Sequence, residues 1–361
     1  MRLTARTGRA AIGAVAVLSV LLPGLVGLNS AEPAVAISHP AHVTIPAGAG
    51  AYRGTVDGVR APFDGNINNN TLAVSPDERI AVASSSSSDR LVVVDLRSGR
   101  RIREITGYAT PRSILFAPDG QSFTVSDSTL GVVDRISRRT FRVQVRLPLG
   151  AGVFGTAQSA DGAELYANNQ ASGTVTVVDV ARQRPVAVIP GFAQPRQGIQ
   201  LSPAQDLLYV TNFQGDRITK VDTATNQPIA EIGGFDQVRG LSISSDGATL
   251  FAANSGDDTV SVVDTASGAT IRKVPVGHQP YGAALSPDES VVLSGDLGSD
   301  TLTAFAPWTG TVIGTVTGVN GPRQAISFSE DSTTAWVLNE DLTIAEVDVR
   351  DLMVTRTLAK R

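Results

Sequence analysis

The chain has 361 residues, 42% of them apolar, with 35 glycines, 19 prolines and a formal net charge of −4. The glycine and proline content suits many short strands joined by tight turns, and excludes an assembly of long helices or a disordered chain. There is no cysteine, which excludes disulfides, thiolate nucleophiles, cysteine-ligated zinc and lipid attachment at cysteine.

Residues 1–36 stand apart. Arg2, Arg6 and Arg9 form a basic start, residues 10–28 are largely apolar, and small residues follow, including Ala34-Val35-Ala36. That order reads as a secretory signal peptide, cut after Ala36 or Ala31. The alternative is an uncleaved membrane anchor, since the apolar run approaches the length of a bilayer span. Pro23, Gly13, Gly24 and Gly27 weigh against it. Cleavage gives a secreted or extracytoplasmic protein with no stable membrane insertion, and removes three Arg and one Glu from totals of 30 basic and 34 acidic residues. The mature net charge is then about −6, a poor basis for binding nucleic acid, which demands a basic face. Residues 37–69 form an N-terminal extension. Within it 42–45 and 51–56 read as strands for an outer sheet edge, and 63–70 as loop.

From residue 70 onward one turn recurs. It reads Ser75-Pro76-Asp77-Glu78, Ala117-Pro118-Asp119-Gly120, Ser159-Ala160-Asp161-Gly162, Ser202-Pro203-Ala204-Gln205, Ser244-Ser245-Asp246-Gly247, Ser286-Pro287-Asp288-Glu289 and Ser329-Glu330-Asp331-Ser332. The first residues are 42, 42, 43, 42, 42 and 43 apart. Ser first, Pro second and Asp-Gly after suit a type I turn, because Pro presets φ and Gly accepts a positive φ. Four strand signals surround each turn. In the fifth and sixth copies they are 239–243 and 281–285, then 250–253 and 291–294, 260–263 and 302–305, and 271–274 and 312–316. Each copy is therefore a four-stranded meander that cannot cover its own faces. Seven such copies stacked about an axis predict an all-β, seven-bladed β-propeller of four-stranded antiparallel blades over residues 70–361.

Residue size supports the ring. Gly155, Gly198, Gly240, Gly282 and Ala325 sit early in first strands, where strands converge and only small side chains fit. The third strand ends in Asp95, Asp134, Asp179, Asp222, Asp264 or Asp348, each placed to start a turn through its carboxylate. Ala306-Pro307 replaces this Asp in the sixth copy. No strand is visibly exchanged between first and last copies to lock the ring.

Leu208-Tyr209-Val210-Thr211-Asn212 followed by Val221-Asp222-Thr223, and Leu250-Phe251-Ala252-Ala253-Asn254 followed by Val262-Val263-Asp264-Thr265, resemble the signature of YVTN-family β-propeller repeat proteins, a group similar to exported YncE-like and lactonase-like propellers. The resemblance covers roughly residues 70–358. It implies the propeller fold and spans several roles: exported proteins of unknown role, surface-layer proteins, a DNA-binding periplasmic protein and, more distantly, lactonases and an antibiotic-ring lyase.

In such meanders, the linkers between copies share a face with the loops after each second strand. Just before the inner strand those linkers carry Arg112, Phe154, Arg196, Arg239, Tyr281 and Arg323. Four arginines about one mouth focus a positive potential, and guanidinium suits carboxylate or phosphate. The alternative is that each caps carbonyls or pairs with a neighbour from the series Ser85, Asp127, Asn169, Asn212, Asn254, Asp296 and Asn339. That series reads as strand-ending and structural, with Asp127 and Asp296 the two most apt to depart from it. His278, beside Tyr281, is the only histidine of the repeats, a solvated side chain or a base. Histidine metal binding needs companions; there is no zinc spacing, EF-hand loop, phosphate loop or nucleophile elbow, so no metal or cofactor is expected. Arg97, Arg100, Arg101 and Arg103, and Arg135, Arg138, Arg139, Arg142 and Arg146, fall around two outer strands and read as solvent-facing charges that blunt sheet edges.

Three functions fit. The first is an exported binding or interaction module, expected as a monomer, presenting the arginine mouth to an anionic small molecule or a surface or cell-wall partner. The second is an enzyme on that face, lactonase-, lyase- or cyclase-like, with His278, Asp127 or Asp296 in catalysis and the arginines as clamp. The third is a structural cell-surface protein.

Overall fold

A computed structural model describes residues 69–360, apart from Ser86; residues 1–36, expected as a signal peptide, and almost all of the expected 37–69 extension lie outside the described residues. The described chain forms seven separate four-stranded antiparallel sheets, each a meander in sequence order. The inner strands are Asn70–Val74, Pro111–Phe116, Val153–Gln158, Pro195–Leu201, Val238–Ile243, Pro280–Leu285 and Ile326–Phe328. Each touches the inner strand of the next blade, and Ile326–Phe328 meets both Pro280–Leu285 and Asn70–Val74, so the ring closes. Between consecutive blades lies one apolar cluster. The last, joining Trp336, Leu338 and Ile344 of blade 7 to Leu72, Ala83 and Val92 of blade 1, is built like the other six.

The recurrent turn is a serine-centred knot. Ser75 Oγ donates to Asp77 Oδ1 (2.7 Å) and accepts from Ile80 N (3.1 Å); Ser244 and Ser329 repeat both bonds. The fourth residue takes a positive φ in every copy, whether Gly120 or a side-chain-bearing Glu78, Gln205, Glu289 or Ser332. The non-glycine residues accept that unfavourable geometry while clasping the preceding blade. Gln205 accepts from Ala160 N (2.9 Å), Glu289 from Ser245 N (2.5 Å), Ser332 from Asp288 N (3.0 Å) and Glu78 from Glu330 N (2.6 Å).

Among the described residues no strand is exchanged at closure, as the sequence suggests: blade 1 is made of strands within Asn70–Thr106 and blade 7 of strands after Ala325. Polar ties hold the junction instead. The Glu78 clasp serves the turn face, and Gln324 Nε2 donates to Asn69 Oδ1 and Asn70 O near the axis (both 2.5 Å). At the rim Ala359 N donates to Gly99 O (2.7 Å), and Arg101 Nε to Ala359 O (2.8 Å).

Five third-strand aspartates act as expected, each accepting a backbone N–H three residues on, as Asp95 does from Ser98 and Asp264 from Ser267 (both 2.7 Å). Asp134 does not. It lies mid-strand in Val132–Ser137, and Ser137 holds the terminal position. Its fully buried carboxylate takes two bonds from Arg146 (2.8 and 2.7 Å) and one from Tyr108 Oη (3.1 Å). The solvent-facing reading of the second arginine group holds for Arg139 and Arg142, which are exposed, and is corrected for Arg135, Arg138 and Arg146. Arg138 grips Asp77 of blade 1 (2.7 Å), and Arg135 lies on the third strand, facing a cleft between blades. A basic side chain beside a buried or neighbouring carboxylate gains more than one left in water.

Candidate functional site

The inner strands place the mouth residues by a backbone approach. Where the strands converge, the carbonyl of each mouth residue points at the blade before it. Arg112 O accepts from Asn69 Nδ2 (2.7 Å), Phe154 O from Ser126 Oγ (2.5 Å) and Arg196 O from Asn168 Nδ2 (2.5 Å). A Cβ added at Gly155 would stand 2.5 Å from Arg196 O, and one at Gly282 2.7 Å from Gln324 Cα. Only glycine admits that approach, so the small axial residues set where the mouth side chains begin.

Those side chains stack. The Arg112 guanidinium lies 4.8 Å from the Phe154 ring centroid. Across the mouth, Arg196 and Arg239 flank Phe213 at 3.8 and 4.1 Å, and Arg239 and Arg323 flank Tyr281 at 4.4 and 5.1 Å. The order is Arg196, Phe213, Arg239, Tyr281, Arg323: three cations spaced by two rings. Each desolvated cation–π contact is worth about 0.5–2 kcal/mol, which offsets part of the repulsion of gathering like charges. Thus the expected residues fall into two contact groups: Arg112 with Phe154, both buried, and Arg196, Arg239, Tyr281 and Arg323 about Phe213.

Side chains from the loops after second strands orient the guanidiniums. Ser128 Oγ accepts from Arg112 Nε (3.0 Å) and Ser255 Oγ from Arg239 Nε (2.8 Å). Backbone bonds join these loops to the linkers, from Ser128 N to Thr110 O, Phe213 N to Gln194 O and Ser255 N to Gln237 O. Ser128, Phe213 and Ser255 occupy the eleventh position after each turn's start, one beyond the Asn/Asp series. That position varies between copies, and Phe213 is its lone aromatic, which is the signal that could have found it.

Arg239 is the centre of the arrangement. Its faces are covered by Phe213 and Tyr281, its Nε is bound to Ser255, and no described carboxylate lies within ion-pair distance. Burial, with the adjacent Arg323 charge, lowers its pKa below the ordinary guanidinium value. A desolvated cation that no described carboxylate compensates draws in an anion, and its Nη edge makes no hydrogen bond among the described residues.

The other candidates lie elsewhere. Asp127 is fully buried and accepts from Ala109 N (2.6 Å), Thr110 N (2.9 Å) and Leu130 N (2.9 Å). Asp296, also buried, accepts from Ser294 Oγ and Thr303 Oγ1 (both 2.6 Å). Burial pushes both carboxyls up, against the hydrogen bonds they accept. Both lock loops, as Asn212 does in taking Ala193 N (2.8 Å). His278 is exposed, its Nδ1 2.8 Å from Asp258 Oδ2, and no described contact joins it to the stack. Among the described residues no cluster of three or more His, Asp or Glu is placed to hold a metal ion.

Residues 224–361 match the family model described as YNCE-like beta-propeller. No curated protein matches the sequence. Among solved structures, the Kuenenia stuttgartiensis hydrazine synthase superposes with a TM-score of 0.70 at 17% identity, covering 83% of this chain and 99% of that one, a likeness of fold alone. The seven even repeats and the closed ring make the described chain a seven-bladed β-propeller, similar over residues 224–361 to the YncE-like family.

Proposed function

We propose that this chain is an exported binding module whose pore mouth takes a small anion. The single observation that carries the reading is Arg239: a desolvated guanidinium, fixed on three sides by Phe213, Tyr281 and Ser255, beside Arg323, with no described carboxylate opposite it. A preorganised cation loses little entropy on binding and recognises carboxylate or phosphate through its in-plane N–H edge. Catalysis at the same face finds less support. Asp127 and Asp296 spend their oxygens on loop N–H and hydroxyl groups, and His278 stands on the exposed rim.

The test is the melting temperature of the mature protein against citrate and inorganic phosphate at constant ionic strength. Stabilisation that rises with the logarithm of ligand concentration, to about 2.7 kcal/mol at a hundredfold excess over Kd, is expected. Arg239→Gln should weaken apparent affinity at least tenfold. An identical shift in wild type and variant removes the mouth as the binding site.

A further inference from the structure

A second site is built between blades 2 and 3, away from the arginine stack. At one register position on the second strand, the side chains that fill the blade junctions are Val82, Tyr166, Tyr209, Phe251, Leu293 and Trp336. They pair respectively with Val93, Val177, Lys220, Val262, Ala304 and Glu346 on the third strand. In blade 2 the same pair is Thr124 and Arg135. An apolar side chain, large in five of the six other blades, is thus replaced by a small polar one, and its partner by a cation. A cavity of about 260 Å³ opens there, walled by Val133, Val145, Leu147 and Leu165, with Thr124, Arg135 and Gln158 and the turn residues Asp119 and Asp161 also lining it.

Two polar atoms in this cavity are buried without a partner: Arg135 Nε and Gln158 Oε1. The Gln158 amide is oriented by its Nε2, which donates to Gly162 O (3.1 Å), so it is the oxygen that remains unbonded. The other cationic residue at this register position, Lys220, donates its Nζ to Thr265 O of the next blade (3.0 Å). Arg135 makes no bond of that kind among the described residues, and no described carboxylate, Asp119 and Asp161 included, lies within ion-pair distance of it. Buried polar groups are almost always satisfied, and an unpaired donor beside an unpaired acceptor on an apolar wall is the imprint of a molecule carrying the complementary set.

We infer that the cleft between blades 2 and 3 binds a small organic carboxylate bearing a hydroxyl group, its carboxylate on Arg135, its hydroxyl donating to Gln158 Oε1, and its apolar body against Val145, Leu147 and Leu165. The volume lies just below the usual range of small-molecule pockets and suits a monocyclic or branched-chain hydroxy acid. None of these residues belongs to the arginine stack.

The experiment is calorimetric titration with 4-hydroxyphenylacetate, in the Arg239→Gln background so that the mouth does not contribute. One-site saturation is expected, and the corresponding alcohol, 4-hydroxyphenethyl alcohol, should bind at least tenfold more weakly. Arg135→Val and Thr124→Phe install residue types that other blades already carry at these positions, and each should weaken binding at least tenfold with the melting temperature held or raised. Arg135→Lys, which keeps charge and stem, should weaken it several-fold. Absence of saturable binding overturns the inference. So does affinity retained in Thr124→Phe with its near-UV spectrum intact, or equal affinity for acid and alcohol.

Discussion

Replacing Arg146 by Ala should be among the most damaging single changes at a partly exposed position in this protein. The Asp134 carboxylate is completely shielded from solvent and takes two parallel bonds from Arg146 Nε and Nη2 at 2.8 and 2.7 Å. Without the guanidinium, one phenolic donor remains, Tyr108 Oη at 3.1 Å. Breaking a buried pair from one side costs about 3–5 kcal/mol. The lower end applies here, because the Arg146 side chain is 32% exposed and its removal lets water reach the acid. A loss of about 3 kcal/mol is therefore expected in urea-induced unfolding followed by circular dichroism, with an unchanged slope. The double variant Asp134→Asn/Arg146→Gln removes the stranded charge and should recover more than half of it. A single-variant loss under about 1 kcal/mol would refute the reasoning, since it would mean that the acid is solvated in the folded state.

Other outcomes follow from the same geometry. Asp77 is raised by burial but held down overall, to about 2, by bonds from Arg138, Ser75 and the Arg79 backbone. Its folded value lies below the unfolded one. The stabilisation is therefore complete above about pH 4 and is lost as pH falls toward 2; after discounting for the 41% exposure of the side chain it amounts to about 1 kcal/mol. Acid titration of the melting temperature should show that loss in wild type and a smaller one in Arg138→Ala. Gly155→Ala drives a methyl into Arg196 O, so it should cost about 1–3 kcal/mol and weaken citrate binding together with stability. Phe213→Ala removes the ring between Arg196 and Arg239 and should weaken citrate several-fold with a melting temperature within a few degrees of wild type.

The repeat announces itself because its signals are local. Each Ser-Pro-Asp-Gly turn closes within six residues, and the inner-strand glycines mark the axis by their size alone. The six mouth residues share one register position, so counting along the repeat was enough to gather them. Contacts that cross between blades were harder to see. Arg138 meets Asp77 from 61 residues away, and Phe213 enters the stack from a loop one position beyond the series that drew attention. Asp134 shows the limit of local reading: it resembles a strand-ending acid, yet Ser137 ends the strand and Asp134 is held from the linker and the outer strand. The cleft at Thr124 and Arg135 needed register, since its meaning lies in what the other blades carry there.

Closure without strand exchange carries a consequence for how such rings change. Every blade is one uninterrupted run of chain, so duplicating or deleting a single unit of the gene adds or removes one whole sheet and leaves every remaining hairpin intact. The polar ties between blades 7 and 1 are of the same kind as those elsewhere in the circle, and new termini opened at any linker would leave an equivalent junction. Circularly permuted versions should therefore assemble the same wheel.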